Sequence, residues 1–568
     1  MTGGHAAAAG CYPCLPHIYH LTHPILFIVT HTDRNSGSKS PSRGDFAQNS
    51  HRHTIFLTAA AVFLCSLLFC GAAAAADQAP FPDTGVLEST TYTLTGDVTL
   101  SADVSVPDGV SCTIDLNGYV LKGTGSGPVI TIESGGCLTL DDTSAEKTGK
   151  VTGGSAAYGG GVFVVGGTFT MNGGCITENT ALTNGGGVSV GDGSLFTLNG
   201  GRISGNTAEF GGGVFAYNST FKMKGGYIEE NNAETGAGGV CVRDGPFIME
   251  GGYITGNHAP FCGGVYIHSV STFTMDDGYI TGNRADEIGG GGVLITDASF
   301  VMNGGVISQN SAKYGGGVFA DAGSCTLSGG TIAENSAEYG GGVYAFSNST
   351  LSMSKGTITR NLVSGEQALG AGVYIQNTRF AMEGGSITEN SANGTDTAGG
   401  GVFVHEAGTF TLTGGSITEN SAENGGVYVA SGAVFEVSGD VRISGNYAGL
   451  PDKTTDRVPK NVVLESDALL VLAGKLNGEV LISEVSEKQP FEGGKFGLRR
   501  EAAGADDAKQ IKSDDGKLCG WFDPESDPES LKWAVDTTAE TPASPVPFAG
   551  ILAGLGAAGA VLAVRMRR

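Results

Sequence analysis

The sequence predicts an all-β protein: a right-handed parallel β-helix solenoid with three short strands per coil and about eleven regular coils between irregular caps. Three observations predict it. The first is a period. A glycine cluster followed by Val recurs at Val162, Val188, Val214, Val240, Val265, Val293, Val318, Val343, Val373, Val402 and Val427, in steps of 25 to 30 residues. That step is too short for a domain and suits one turn of a repeat. The second is alternation inside each unit, where Phe169/Met171, Phe196/Leu198, Phe221/Met223, Phe247/Met249, Phe273/Met275 and Phe300/Met302 follow a period of two, the signature of a half-buried strand. The third is punctuation. Gly-Gly and Asn with a polar-glycine stretch divide each unit into Val-x-apolar, Phe-x-Met/Leu and x-Ile-Thr. One coil buries roughly four large apolar side chains at about 1.5 to 3 kcal/mol each, while ordering its backbone costs about 1 to 2 kcal/mol per residue. Only stacking, which turns each repeated apolar position into a continuous interior file, makes such units stable.

The files follow from the repeat. Ile176, Ile203, Ile228, Ile254, Ile280, Ile307, Ile332, Ile358, Ile387, Ile417 and Ile443 are fixed while the preceding residue varies, so Ile faces inward and its neighbour outward. Three residues later comes Asn, from Asn179 and Asn206 through Asn420 to Asn446. Stacked Asn side chains at a corner hydrogen-bond one another and the backbone. The glycine runs read as corners that need positive φ or close backbone approach, not as phosphate loops, because no helix follows them. A second aromatic series, Phe163, Phe215, Tyr266, Phe319, Tyr344, Tyr374, Phe403 and Tyr428, follows the fixed Val. These rings line the outside if Val faces inward and the core if the parity is reversed; the sequence leaves both open.

The alternation of Gly-Gly-Gly-Val with Ile-x-x-Asn is similar to the repeats of chlamydial polymorphic outer membrane proteins. It resembles more closely the glycine-rich, pectate-lyase-like β-helix repeat proteins of bacterial surfaces. The resemblance covers Gly159 to Asn446, about half the chain, and implies a fold more than an activity. Ile stands where the chlamydial repeat has Phe, and the C-terminal residues lack alternating barrel segments, so an outer-membrane autotransporter is not expected.

Residues 1–76 read as a leader and secretory signal peptide. Thr54 to Cys70 is apolar, basic residues precede it, and the alanines that follow predict cleavage after Ala76. Residues 1–53 read as an extended or misassigned start. Residues 77–158 carry strand-like runs without the full repeat, an N-terminal cap with irregular coils; residues 159–446 are the regular repeats, and residues 447–536 terminal coils and a cap. Residues 537–547 form a Thr/Ala/Pro/Ser-rich spacer. Residues 548–568 close the chain with 17 apolar residues, Phe548 to Val564, and three arginines, the pattern of a transmembrane helix with its basic end inside. This tail resembles a Gram-positive sorting signal without its pentapeptide. The expected location is the cell surface, single-pass tethered, with the β-helix outside.

Between Asp77 and Val564 there are 25 basic against 55 acidic residues, which argues against nucleic acid as a partner. Seven cysteines remain in this region, Cys112, Cys137, Cys175, Cys241, Cys262, Cys325 and Cys519, without zinc-ligand spacing. Cys325 occupies a Phe file, and Cys241 and Cys262, on adjacent coils, are a candidate pair. No cofactor is expected; Ca²⁺ enters only through the enzyme reading below.

The coils between Lys224 and Glu287 depart most from the polar-neutral consensus. Repeat position aligns Lys224, Glu250 and Asp276 in one outward file, Tyr227, Tyr253 and Tyr279 in a second, and His258 with Arg284 in a third, with Arg243 and Asp244 in a loop between. These are the ligand-binding candidates. A tyrosine ladder beside carboxylates suits a glycan, whose faces stack on rings and whose hydroxyls meet carboxylates. No catalytic residue is assigned. The leading expectation is a cell-surface adhesin-like or structural protein that contacts extracellular glycan or host and neighbour surfaces. The alternative is a polysaccharide lyase or glycoside hydrolase, with acidic residues holding Ca²⁺ or acting as acid and base. Two longer corners, Leu362 to Leu369 and Ser391 to Thr397, leave adjacent coils and are placed to form a joint loop.

Overall fold

A computed structural model of the chain describes residues 81–82, 85–449, 457–465, 468–485, 507, 509–514, 518–523 and 527–535. The leader, cleavage site, spacer and apolar tail inferred from the sequence lie outside these residues. The described residues form a parallel β-helix of about 14 turns. In a representative coil the chain runs through Val214–Tyr217, Thr220–Met223 and Tyr227–Glu229. Each strand pairs in parallel with its counterpart one coil on: Val214 with Val240, Phe221 with Phe247, Ile228 with Ile254. Three long parallel sheets result, here called first, second and third in the order the chain meets them.

Register is fixed because each strand alternates an interior and an exterior side chain, so a one-residue slip would expose the whole interior file. Val214, Ala216, Phe221, Met223 and Ile228 are all fully buried, as are their equivalents in neighbouring coils. The interior phenylalanines stack in a column, with ring centroids 4.9 Å apart for Phe196–Phe221, 4.7 Å for Phe221–Phe247 and 4.5 Å for Phe247–Phe273. Cys325 sits in this column, in register with Phe300 and Leu351, and burial pushes its thiol up to about 12. Cys241 and Cys262 are separate, fully buried thiols, both pushed well above the ordinary range by burial.

The Asn file is a hydrogen-bonded ladder. Each Asn donates from Nδ2 to the Oδ1 of the next, as in Asn231 to Asn257 and Asn257 to Asn283 at 3.0 Å. Each also accepts the backbone N–H of the Asn before it, as Asn283 does from Asn257. A twelfth rung, Asn461, accepts from Asn446 and donates to Asp514 at 2.8 Å. Every rung is buried, so the corner's polar groups are satisfied internally.

Beyond each Asn a fourth, shorter ladder appears that the three-strand reading omits. It runs through Thr207–Ala208, Asn232–Ala233, His258–Ala259 and Arg284–Ala285, with Ala turned inward and buried. After longer first strands at Ser155–Tyr158 and Thr180–Asn184, these strands are two residues long and built on alanine, which carries little β signal.

The fixed Val faces inward at every coil, which settles the parity of the second aromatic series: these rings lie on the outer face of the first sheet. They are nonetheless buried at Phe215, Phe319, Tyr344, Tyr374 and Phe403. They pack against one another, tilted with centroids 5.1 Å apart for Phe319–Tyr344 and 4.7 Å for Tyr344–Tyr374, and stacked at 5.1 Å for Tyr374–Phe403. The corner chain folds over them. A Cβ added at Gly315, whose φ is +61°, would lie 2.7 Å from the Cβ of Phe319.

Before the first fixed Val, three coils already hold register with the sheets, as Val104 pairs with Ile130 and Ile130 with Val162. They are pinned by a fully buried carboxylate. Asp142 accepts the N–H groups of Gly118, Gly149 and Ser144 at 2.8, 2.7 and 3.1 Å and the Ser144 hydroxyl at 2.6 Å. Burial alone would raise its pKa; these bonds outweigh that and hold it below the usual carboxylate value. Its contribution to stability is therefore full above the unfolded-state pKa of about 4 and is lost as pH falls through the lower folded value. The cost of Asp142→Asn, measured by urea unfolding, should accordingly be largest at neutral pH and shrink on acidification; a cost that grows in acid would contradict this. At the other end Ile511–Ser513, Leu518–Asp523 and Asp527–Val535 pair antiparallel, ending the parallel stack.

Candidate functional site

The three outward files are real, and they occupy three different parts of a coil. Lys224, Glu250 and Asp276 follow the register of Met223, Met249 and Met275 and stand exposed on the outside of the turn between the second and third sheets. They do not converge on one another as a catalytic pair. Glu250 meets Lys222, not Lys224, at 3.0 Å, and Asp276 accepts from Asn303 at 2.8 Å. A turn on the outside of a solenoid is convex, so water reaches these groups freely.

Tyr227, Tyr253 and Tyr279 lie outward on the third sheet in strict register. Their centroids are 4.9 and 4.8 Å apart and their planes within 8° of parallel. The Arg202 guanidinium closes the free face of Tyr227, 4.4 Å from its centroid, while ion-pairing with Glu229. Val306 takes the next place beyond Tyr279. The faces of this ladder are thus filled by its own members, and solvent meets ring edges and hydroxyls. Tyr253 is 36% and Tyr279 41% exposed. The row offers polar edges at the coil spacing, not open π-faces.

His258 and Arg284 do share a file, around the Asn corner on the short fourth ladder. Asp286 joins them. Its carboxylate accepts Arg284 Nε at 2.6 Å and contacts His258 Nε2 at 2.6 Å, while His258 Nδ1 meets Asn232 Oδ1 at 2.8 Å. The bonds from His258 and then Arg284 hold the Asp286 carboxyl below its usual value.

Arg243 and Asp244 are not both in a loop. Arg243 ends the strand Val240–Arg243 and points outward from the first sheet, while Asp244 takes a left-handed turn at φ +56°. Register places Tyr217, Arg243, His268, Thr296 and Asp321 in one file across five coils. Sequence reasoning missed this file because its members share no residue type. Beside it Tyr266 stacks on His268 at 4.8 Å. Burial, followed by the Arg243 charge, lowers the His268 pKa to about 4, leaving it neutral at pH 7. Arg243 Nε and Thr296 Oγ1 are both buried, and Thr296 bonds the Tyr266 side chain. Arg243 Nε ion-pairs with Asp244 at 3.3 Å, and the guanidinium lies 5.6 Å from the centre of the Tyr217 ring.

A family model described as a right handed beta helix region matches residues 263–447, about a third of the chain. This chain is a right-handed parallel β-helix. No curated protein and no solved structure gives a match. The β-helix scaffold accommodates structural, adhesin-like and enzymatic roles, so activity must be argued from side chains. Among the described residues no helix is long and apolar enough to cross a membrane.

Proposed function

We propose that the protein is a surface-displayed β-helix that acts as a structural or adhesin-like scaffold, touching extracellular glycan or a neighbouring surface through outward side chains rather than acting on it through a catalytic centre. One observation carries this reading. The charged groups of the outward files between Lys224 and Glu287 lie on different parts of the coil, and several are met by neighbours, Glu250 by Lys222 and Asp286 by His258 and Arg284. Such a surface recognises shape and hydroxyl pattern; it does not gather two carboxylates around one bond. Tyrosine hydroxyls repeating at the coil spacing, flanked by Glu250 and Asp276, match the regular hydroxyls of an extended saccharide, with hydrogen bonds in place of ring stacking. The secretory leader and the apolar tail with its arginines support display outside the cell. So does the resemblance of the repeats to those of bacterial surface β-helices. The test is a glycan array with residues 77–543. Binding to one glycan class is expected, weakened about tenfold or more by Tyr253→Ala with Tyr279→Ala; binding to no glycan and no cell adherence would remove the glycan and leave a structural role.

A second reading, a carbohydrate-active enzyme, is favoured by one observation, the file of Arg243, neutral His268, Thr296 and Asp321 on the first sheet. These polar groups, unlike in type and gathered on one outward face, are what a bound substrate would meet. If this file is catalytic, Arg243→Ala and His268→Ala abolish polysaccharide cleavage while leaving the melting temperature within a few degrees.

A further inference from the structure

The two longest corners form one flange. Leu362–Leu369 and Ser391–Ala398 pair in parallel at seven positions, from Leu362↔Ser391 to Leu369↔Ala398. Their roots are held by a small core of their own, comprising Ala337, Val363, Ala368, Ala371, Ala392 and Ala422. The first of these strands is paired on its other side only at its ends, where Ser336 and Ala337 meet Leu362 and Val363 and Tyr339 bridges Leu369. From Ser364 to Ala368 that edge has no strand beside it among the described residues. A notch of about 450 Å³ occupies the gap, lined by Glu338, Tyr339, Gly365, Glu366 and Gln367. Its charged side chains are both carboxylates, and Asp396 stands exposed on the companion strand. The nearest cation on the preceding coil, Lys313, is held over the Tyr314 ring at 5.4 Å.

We propose that this notch is a docking site for an extended, basic peptide segment of another protein, which adds as a strand to the open edge from Ser364 to Ala368. Main-chain hydrogen bonds supply the affinity of such an addition, and alternate side chains supply its specificity. Residues two apart on an added strand point to the same side, so Lys or Arg at alternate positions would face Glu338 and Glu366. A second copy of this flange brings the same carboxylates and is repelled. The site is independent of the glycan reading, since it lies outside the coils from Lys224 to Glu287.

The experiment uses the full chain and two decapeptide probes, one alternating Lys and Thr, the other Glu and Thr, at physiological salt, with affinity read by fluorescence anisotropy and the site by hydrogen exchange. The expected result is that the Lys/Thr peptide binds and protects the Ser364 to Ala368 amides, and that Glu338→Lys with Glu366→Lys weakens it at least about tenfold. The equally exposed control Glu383→Lys should leave affinity within about twofold. No binding would overturn the proposal. So would equal binding of both peptides, binding without protection of those amides, or binding that the control reversal weakens as much as the double one, since each places the peptide elsewhere on an acidic surface.

Discussion

Replacing Asn283 with Ala should cost about 4 kcal/mol, among the largest effects of any single polar substitution in the chain. The side chain donates to the Ile254 carbonyl at 2.9 Å and to Asn310 Oδ1 at 3.0 Å, and its Oδ1 accepts both the backbone N–H and the Nδ2 of Asn257 at 3.0 Å. Truncation orphans the Asn257 N–H outright, in a site with no exposed surface, and removes the side-chain donor of the Ile254 carbonyl. It also halves the bonding of the rungs on either side. Each buried group left unpaired costs roughly 1 to 3 kcal/mol. Because each coil contacts only its neighbours, the loss should be local. Hydrogen exchange should accelerate between Ile228 and Asn310 before it does so near Ile417, and Thr281→Ala, on the outward side of the same coil, should change stability by less than about 0.5 kcal/mol. A uniform, small effect of Asn283→Ala would mean that the ladder is ornamental.

Gly317→Ala should be comparably damaging, at about 3 kcal/mol or more, for a steric reason. A Cβ at Gly317 would lie 2.6 Å from the carbonyl oxygen of Gly342, 2.8 Å from Ile332 Cγ2 and 3.0 Å from Asn335 Nδ2. The first of these is the backbone of the next coil and cannot rotate away. Relief requires the coils to separate, which would lengthen the bond from Val318 N–H to the Gly342 carbonyl, now 2.9 Å. Chemical denaturation should show a lowered midpoint, and exchange at Val318 and Val343 should rise. Tolerance of Ala here would contradict the close stacking of the glycine corner.

These two residues were legible from the chain alone, because position and identity repeat together. Ile-x-x-Asn and the glycine triplet occur where every coil needs an inward β-branched side chain, a self-bonding corner and a surface without Cβ. What stayed hidden has physical causes of its own. The fourth ladder is two residues per coil and leaves almost no periodic trace. The rung Asn461 comes 15 residues after Asn446 instead of a full period, so spacing could not find it. The outer rings from Phe215 to Phe403 are buried although they face away from the core, because the corner chain folds over them, a second layer that alternation cannot signal. The candidate patch shows the same division. Register was readable, and Tyr227, Tyr253 and Tyr279 do align. Their orientation was not, and orientation decides that they present edges instead of faces. The Arg243, His268, Thr296 and Asp321 file was invisible because a file of unlike residues has no repeat to betray it.

The proposed role is contact through the outer surface of the β-helix without transformation of what it touches. The most direct test incubates the purified chain with the polysaccharide class it retains on a glycan array and follows polymer length together with the appearance of new chain ends. The account predicts saturable binding, reduced by Tyr253→Ala with Tyr279→Ala, and no shortening of the polymer over many hours. Progressive scission that disappears in Arg243→Ala would contradict it and would place the working surface of the molecule on the first sheet.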